Sequence, residues 1–308
     1  MFTITRGRLA LVSAVAVGAV VALAGCASGD PLDEGNSSSG DTDTLVVGSQ
    51  DYYSNEIIAE IYAQALEDGG YTVDRQFRIG QREAYLPEIE GGSIDVFPEY
   101  TGSLLQALKP DAAGGTADET YTQLQEALPD GVSVLDMAEA TDQNSWTVTQ
   151  AFADTYGLTD IASLSKVTEP ITVGGNSELE TRPYGPTALK EKYGIEIAGF
   201  TPVEDNGGPL TVKSLVDNKI QLANVYTADP NISSNNLVAL DDPDGLFFAD
   251  NVVPVVSDKV DDGAAEIINA VSAKLTADTL VELNSQSVND QAAADTIATD
   301  WLTKAGLL

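Results

Sequence analysis

The chain has 308 residues, 43% hydrophobic and 6% aromatic, which is enough for a proper core and, by length, for about two domains or lobes. Acidic residues outnumber basic ones 48 to 15, a formal net charge of −33. That argues against a nucleic-acid partner, which needs a basic stripe, and makes a cation easier to attract than an anion. There is no histidine and a single cysteine, so His-based triads, His-ligated metal sites, cysteine clusters and disulfides are all removed; no metal and no cofactor is expected.

In chain order, residues 1–25 read as a processing segment, with Arg6 and Arg8 ahead of an apolar run from Leu9 to Leu23. The run is too short and wrongly flanked for a membrane span. It ends Leu23-Ala24-Gly25-Cys26, which resembles a bacterial lipobox. That resemblance implies that Cys26 carries a lipid and becomes the mature N-terminus, so the protein would be extracytoplasmic and anchored to the cell membrane. A plain signal peptide containing a cysteine is the alternative; that Cys26 is the only cysteine and sits at the cleavage position favours the lipid. Residues 26–43 are rich in Gly, Ser, Asp and Asn without periodicity and read as a flexible acidic tether.

The folded body starts at Thr44. Leu45-Val46-Val47-Gly48 is a short buried strand, and Ser54 or Asn55 is expected to cap the following helix, whose apolar face is Ile57, Ile58, Ile61, Tyr62, Ala65 and Leu66. A second strand alternates at Tyr71, Val73 and Phe77, and a short helix covers Glu83 to Glu90. A third strand runs through Ile94, Val96 and Phe97. Pro98 cannot donate to a ladder, so this strand should stop there and present Tyr100 on a turn, with Gly102 permitting a close approach before an apolar helix. Further on, a helix is expected from about Glu119 to Leu128 and a strand from Val132 to Leu135. A second lobe opens near Asn144, with strands at Ile171 and Ile220 and helices at Tyr184–Tyr193 and Pro209–Val216. Val252 to Val256 leads back to the first lobe, and Asp261 to Leu307 is helical. The fold class is α/β. The layout is that of a hinged, two-lobed binding protein, with lobe 1 at 44–144 plus 250–308, lobe 2 at 145–249, and ligand in the cleft between them.

Several motifs, taken together, resemble one family. Gly48-Ser49-Gln50-Asp51-Tyr52, Pro98-Glu99-Tyr100-Thr101-Gly102, Asn144-Ser145-Trp146, Glu180-Thr181-Arg182-Pro183, Gly207-Gly208-Pro209-Leu210 and Val225-Tyr226-Thr227-Ala228-Asp229-Pro230 are similar to those of the substrate-binding proteins of ABC importers for glycine betaine, choline, carnitine and related osmoprotectants. The resemblance spans residues 44–308 in order. It implies a type II-like periplasmic-binding-protein fold, no enzymatic activity, a quaternary ammonium ligand and an ABC permease as partner, with the protein acting as a monomer. A quaternary ammonium has no N–H to donate, so such a site holds it on aromatic faces, each worth about 0.5–2 kcal/mol. Carried over, Tyr100, Tyr226 and Trp146 are cage rings, Ser103 a hydroxyl contact, Asn144 a contact at the lobe crossing and Arg182 a carboxylate clamp. Of Tyr52 and Tyr53, one should face the cleft and the other the core. Gln50 and Asp51 stand where some relatives have a lysine, and Asp250 stands at about the position of a tyrosine. The site should therefore hold fewer rings and more negative charge, which a ligand with a cation and a hydroxyl, or a different small polar or cationic solute, tolerates better than glycine betaine.

Two other readings are weighed. A carboxylate enzyme would use Asp95 and Glu99, or Asp229, as an acid–base pair, but a proline turn separates the first two. An adhesion or structural lipoprotein should show repeats, and no fixed period stands out.

Overall fold

The computed structural model describes residues 44–308; the expected signal peptide, lipid-bearing Cys26 and tether lie outside them. The apolar runs of the sequence become the strands of two five-stranded sheets. In chain order the first elements are β1 (Thr44–Gly48), α1 (Tyr53–Asp68), β2 (Thr72–Gln76), α2 (Arg82–Glu90), β3 (Val96–Tyr100), α3 (Thr101–Leu108), α4 (Ala117–Ala127) and β4 (Val132–Val134). There follow β5 (Asn144–Thr149), α5 (Gln150–Tyr156), β6 (Ile171–Gly175), α6 (Pro186–Tyr193), β7 (Ile197–Pro202), α7 (Pro209–Val216), β8 (Leu222–Tyr226), α8 (Asn231–Ser234) and β9 (Leu237–Ala239). The chain closes with β10 (Val252–Ser257), α9 (Asp262–Ser272), α10 (Ala277–Val288) and α11 (Ala294–Ala305).

The sheet orders are β2-β1-β3-β10-β4 and β7-β6-β8-β5-β9. In each, parallel strands on one side give way to antiparallel ones: β10 runs against β3 and β4, and β5 runs against β8 and β9. Each sheet with its helices is an α/β lobe. The chain crosses between them twice, at 135–143 and 240–251. The crossings lie side by side, with an antiparallel bridge from Thr141 to Asn251 and a Val252 N–H to Ala140 carbonyl bond of 2.9 Å. This two-stranded hinge sets Asp142 beside Asp250, with the Asp142 N–H donating to the Asp250 carbonyl at 3.3 Å.

The apolar stripe of α1 is buried as its spacing requires, and the C-terminal helices α9, α10 and α11 pack on it to complete the first-lobe core with Ile268, Leu280 and Leu302. The second lobe has its own core around Val148, Ile161, Val173 and Leu222.

Two local expectations are corrected and a third is met. β3 does not stop at Pro98; it continues to Tyr100, and Pro98 faces Pro254 across the ladder. The pair occupies a position where both residues turn their backbone outward. The Pro98 carbonyl accepts from Asn55 Nδ2 at 2.8 Å and the Pro254 carbonyl from the Leu135 N–H at 3.0 Å, so neither proline owes its neighbour a donor. Tyr100 is thus the last residue of a strand rather than part of a turn. Neither Ser54 nor Asn55 caps α1: the helix starts at Tyr53, and Asn55 instead ties the loop after β1 to β3, its Oδ1 accepting from the Gln50 N–H at 2.8 Å. Gly102 does meet the close approach expected of it. A Cβ there would lie 2.6 Å from Phe248 Cβ and 2.7 Å from the Ala249 carbonyl, against the returning hinge strand.

Candidate ligand-binding site

Parallel strands deliver their C-terminal ends to the cleft, the usual place for a ligand in an α/β sheet. From the first lobe, the loop after β1 brings Gln50 and Tyr52, the end of β3 brings Tyr100 and Ser103, and the start of α2 brings Gln81 and Arg82. The hinge brings Asp142 and Asp250, and Asn144 opens β5 beside them. From the second lobe, the segment after β6 brings Asn176, Glu178, Arg182 and Tyr184; the loop after β7 brings Asn206, and β8 brings Asn224 and Tyr226. The cavity these residues enclose is about 50 Å³. That suits a compact solute and not a polymer.

Three tyrosines converge in it. The Tyr52 ring lies 5.3 Å from Tyr226 and 6.4 Å from Tyr100, centroid to centroid, both tilted by 33°. The Tyr52 hydroxyl donates to that of Tyr100 and, at 3.5 Å, to Asp142 Oδ2. Burial pushes all three phenols up, so the rings stay neutral and offer π faces rather than phenolates. Tyr53 turns the other way, and its hydroxyl donates to Asp229 Oδ2 at 3.1 Å.

The hinge acids face this cluster. Asp142 accepts the Ala228 N–H at 3.0 Å, and burial raises its carboxyl to about 7. Asp250 is also raised by burial, to about 6. Its Oδ1 accepts the N–H groups of Gly102 and Ser103, both at 2.8 Å, and its Oδ2 accepts the Ser103 hydroxyl at 2.6 Å. Asp250 therefore caps the start of α3 and ties the hinge to the end of β3.

Both arginines of the cavity are held by carboxylates. Arg82 makes a fork on the fully buried Glu99, with Nε to Oε1 at 2.9 Å and a second bond to Oε2 at 3.0 Å. Glu99 also accepts from the Tyr85 hydroxyl at 2.6 Å, the Tyr100 N–H at 2.9 Å and Gln50 Nε2 at 3.4 Å. Arg182, from the second lobe, makes a fork on Glu83 of α2 at 2.7 and 3.2 Å, across the cleft. A second link across the cleft runs through Asn206, which accepts from Gln81 Nε2 at 2.6 Å and donates to the Asp51 carbonyl at 2.8 Å. Asn206 sits at φ 55°, a left-handed conformation that asparagine tolerates.

Of the ten residues expected in the site, eight line the cavity: Gln50, Tyr52, Tyr100, Ser103, Asn144, Arg182, Tyr226 and Asp250. Two do not. Asp51 is exposed and contributes only its carbonyl, to Asn206. Trp146 is fully buried in the second-lobe core, 6.4 Å from the Phe247 ring. It lies two residues beyond Asn144 on the same face of β5, about 6–7 Å further from the cleft at strand rise. Sequence reasoning missed Arg82, Asp142, Tyr184 and Asn206. Asp142 was discoverable: it lies just before Asn144 in the crossing segment, and a hinge of two antiparallel crossings sets it opposite Asp250. The acid–base pair weighed above does not form. Asp95 sits at the far end of β3, held by the Val46 N–H and Ser257 hydroxyl at 2.8 Å and Lys259 at 3.2 Å, while Glu99 is neutralised by Arg82.

The described residues thus form a two-lobed α/β fold with tyrosines and carboxylates gathered in the cleft at its hinge. Residues 43–304 match a family model described as the substrate-binding domain of an ABC-type glycine betaine transport system, and the chain belongs to that family. It is similar to the glycine betaine-binding protein YehZ of Escherichia coli (strain K12), with 25% identity over 274 residues, covering 84% of this chain and 90% of that one. It is also 24% identical over 268 residues to the ergothioneine transport permease/ergothioneine-binding protein EgtU of Helicobacter pylori (strain G27), covering 85% of this chain but 48% of that protein. Among solved structures, a glycine betaine/carnitine/choline ABC transporter protein superposes with a TM-score of 0.69 at 18% identity, over 85% of this chain and 99% of that one. A choline-binding protein in complex with choline superposes with a TM-score of 0.62 at 14% identity, over 86% and 89%. The chain is thus the substrate-binding component of an ABC-type glycine betaine transport system. Among the described residues, no helix is long and apolar enough to cross a membrane.

Proposed function

We propose that the protein captures a quaternary ammonium solute of the glycine betaine, choline or carnitine kind in this cleft and hands it to a membrane permease. It acts as a monomer tethered through a lipid on Cys26, with the lobes at 44–144 plus 250–308 and at 145–249 closing on the ligand about the hinge. The observation that carries this reading is the convergence of Tyr52, Tyr100 and Tyr226 beside the buried Asp142. Neutral rings attract an onium by their faces, and an adjacent carboxylate neutralises it without needing an N–H from the ligand. A different small polar or cationic solute in the same cleft is the second reading, favoured by the acids of the hinge.

The test is a titration of the purified protein with choline, glycine betaine and carnitine, read by calorimetry and by thermal shift at pH 6 and pH 8. At a hundredfold excess over Kd, a true ligand stabilises the fold by about 2.7 kcal/mol. Affinity should be roughly tenfold weaker at pH 6, because a cation binds the ionised Asp142 and that carboxyl, raised to about 7, must first lose its proton. Stability of the unliganded protein moves oppositely. The folded carboxyl is raised from 3.8 to about 7, so its contribution is complete below 3.8 and is lost as pH rises through 7. No shift with any quaternary amine would overturn the assignment of the ligand class.

A further inference from the structure

We infer that the cleft selects a quaternary ammonium ligand that carries no carboxylate, and that Glu83 enforces this by occupying the guanidinium of Arg182. The inference rests on the functional reading above and names the ligand class within it.

A zwitterionic ligand brings one cation and one carboxylate, and the carboxylate needs a donor group that is free to serve it. Among the described residues, two cationic side chains line the cavity, Arg82 and Arg182. Each already has both arms of its fork on a protein carboxylate. Arg82 is bound to Glu99, a fully buried partner that also serves Tyr85 and the Tyr100 backbone and so is fixed in place. Arg182 is bound to Glu83 at 2.7 and 3.2 Å. The remaining ionisable acids of the lining are Asp142, Asp250 and Glu178, and none of the three has an arginine or lysine partner within 4.0 Å; Glu178 Oε2 is buried without a hydrogen-bond partner. The cavity therefore presents an excess of carboxylates, which attracts a monocation and repels a second anionic group.

The two arginine forks are not equal barriers. Arg82–Glu99 is an internal pair of the first lobe, built into the end of β3. Arg182–Glu83 joins the lobes, and Glu83 is 60% exposed at its side chain, so this pair can exchange. Two of the five N–H donors of Arg182 serve Glu83, so a ligand carboxylate would compete with Glu83 for the guanidinium, and Glu83 is tethered at an effective concentration of order millimolar. Glu83 thus acts as a built-in substitute for the ligand carboxylate. It completes the closed cleft when the ligand lacks that group and competes when the ligand has it. Glu83 is a positioning residue, acting through Arg182 and not by touching the onium.

The experiment is calorimetric titration of choline and glycine betaine into the wild-type protein, Glu83→Gln and the double variant Glu83→Gln/Arg182→Gln, with the ratio of the two affinities as the readout. The wild type is expected to bind choline at least about tenfold more tightly than glycine betaine. Glu83→Gln frees the Arg182 fork and should move the ratio about tenfold toward glycine betaine. The double variant should return the ratio to the wild-type side, which a general loosening of the closed state would not do. A wild type that prefers glycine betaine overturns the inference while leaving the functional reading intact, and so does an unchanged ratio in Glu83→Gln. A wild type that binds neither compound overturns the functional reading itself and this inference with it.

Discussion

Tyr100→Ala is expected to weaken binding of a quaternary ammonium ligand by about 10- to 100-fold. One ring face contributes about 0.5–2 kcal/mol to an onium, at the upper end when desolvated as here. The substitution also removes the hydroxyl that accepts from Tyr52, leaving that ring with only its 3.5 Å contact to Asp142. Tyr100 is 4% exposed and belongs to the first-lobe core, so truncation opens a cavity and lowers stability by roughly 3–5 kcal/mol. Affinities must therefore be compared well below the melting temperature of the variant. Tyr100→Phe separates the two effects, because it keeps the face and the volume and loses only the hydroxyl. It should bind within about threefold of the wild type, since a net hydrogen bond contributes only about 0.5–1.5 kcal/mol. Normal binding by Tyr100→Ala in calorimetry would contradict a cage built on this ring.

Glu99→Ala should have the largest effect on the fold. The carboxylate is fully buried and collects five hydrogen bonds: two from Arg82 and one each from Tyr85, the Tyr100 N–H and Gln50. Removing it leaves the Arg82 guanidinium, 12% exposed, without a counter-charge, and breaking a buried pair in this way costs about 3–5 kcal/mol. For a chain of this size that corresponds to a fall in Tm of about 10 °C in calorimetry. Glu99→Leu combined with Arg82→Met should recover much of the loss, because it removes both charges together. A fall of less than about 3 °C in Glu99→Ala would show that Arg82 finds water or another partner, and that this pair does not fix the end of β3.

The architecture was legible because it depends on periodicity and punctuation, which survive in a single sequence. The α1 stripe, the Gly102 approach and the sequence of strands and helices are local patterns, and the cleft residues Tyr100, Arg182 and Tyr226 come from the family resemblance, which left Tyr52 and Tyr53 undivided. What failed was non-local. Pro98 looks like a strand stop until the partner strand is known to place Pro254 opposite it, where neither needs to donate. Trp146 looks like a cage ring until β5 is seen to run away from the cleft, so that a separation of two residues decides between ligand and core. Asp142 could be placed in the crossing segment just before Asn144, but its role comes from the pairing of two crossings about 110 residues apart. Arg182 was legible as a cleft residue, but its partner Glu83 comes from the opposite lobe, and that contact changes what the arginine can bind.

The most direct measurement is the crystal structure of the protein with choline. The account predicts the trimethylammonium group within about 6 Å of the ring centroids of Tyr52, Tyr100 and Tyr226, with Asp142 facing it and Arg182 still on Glu83. An onium bound away from these rings, or one seated against the arginines instead, would contradict it.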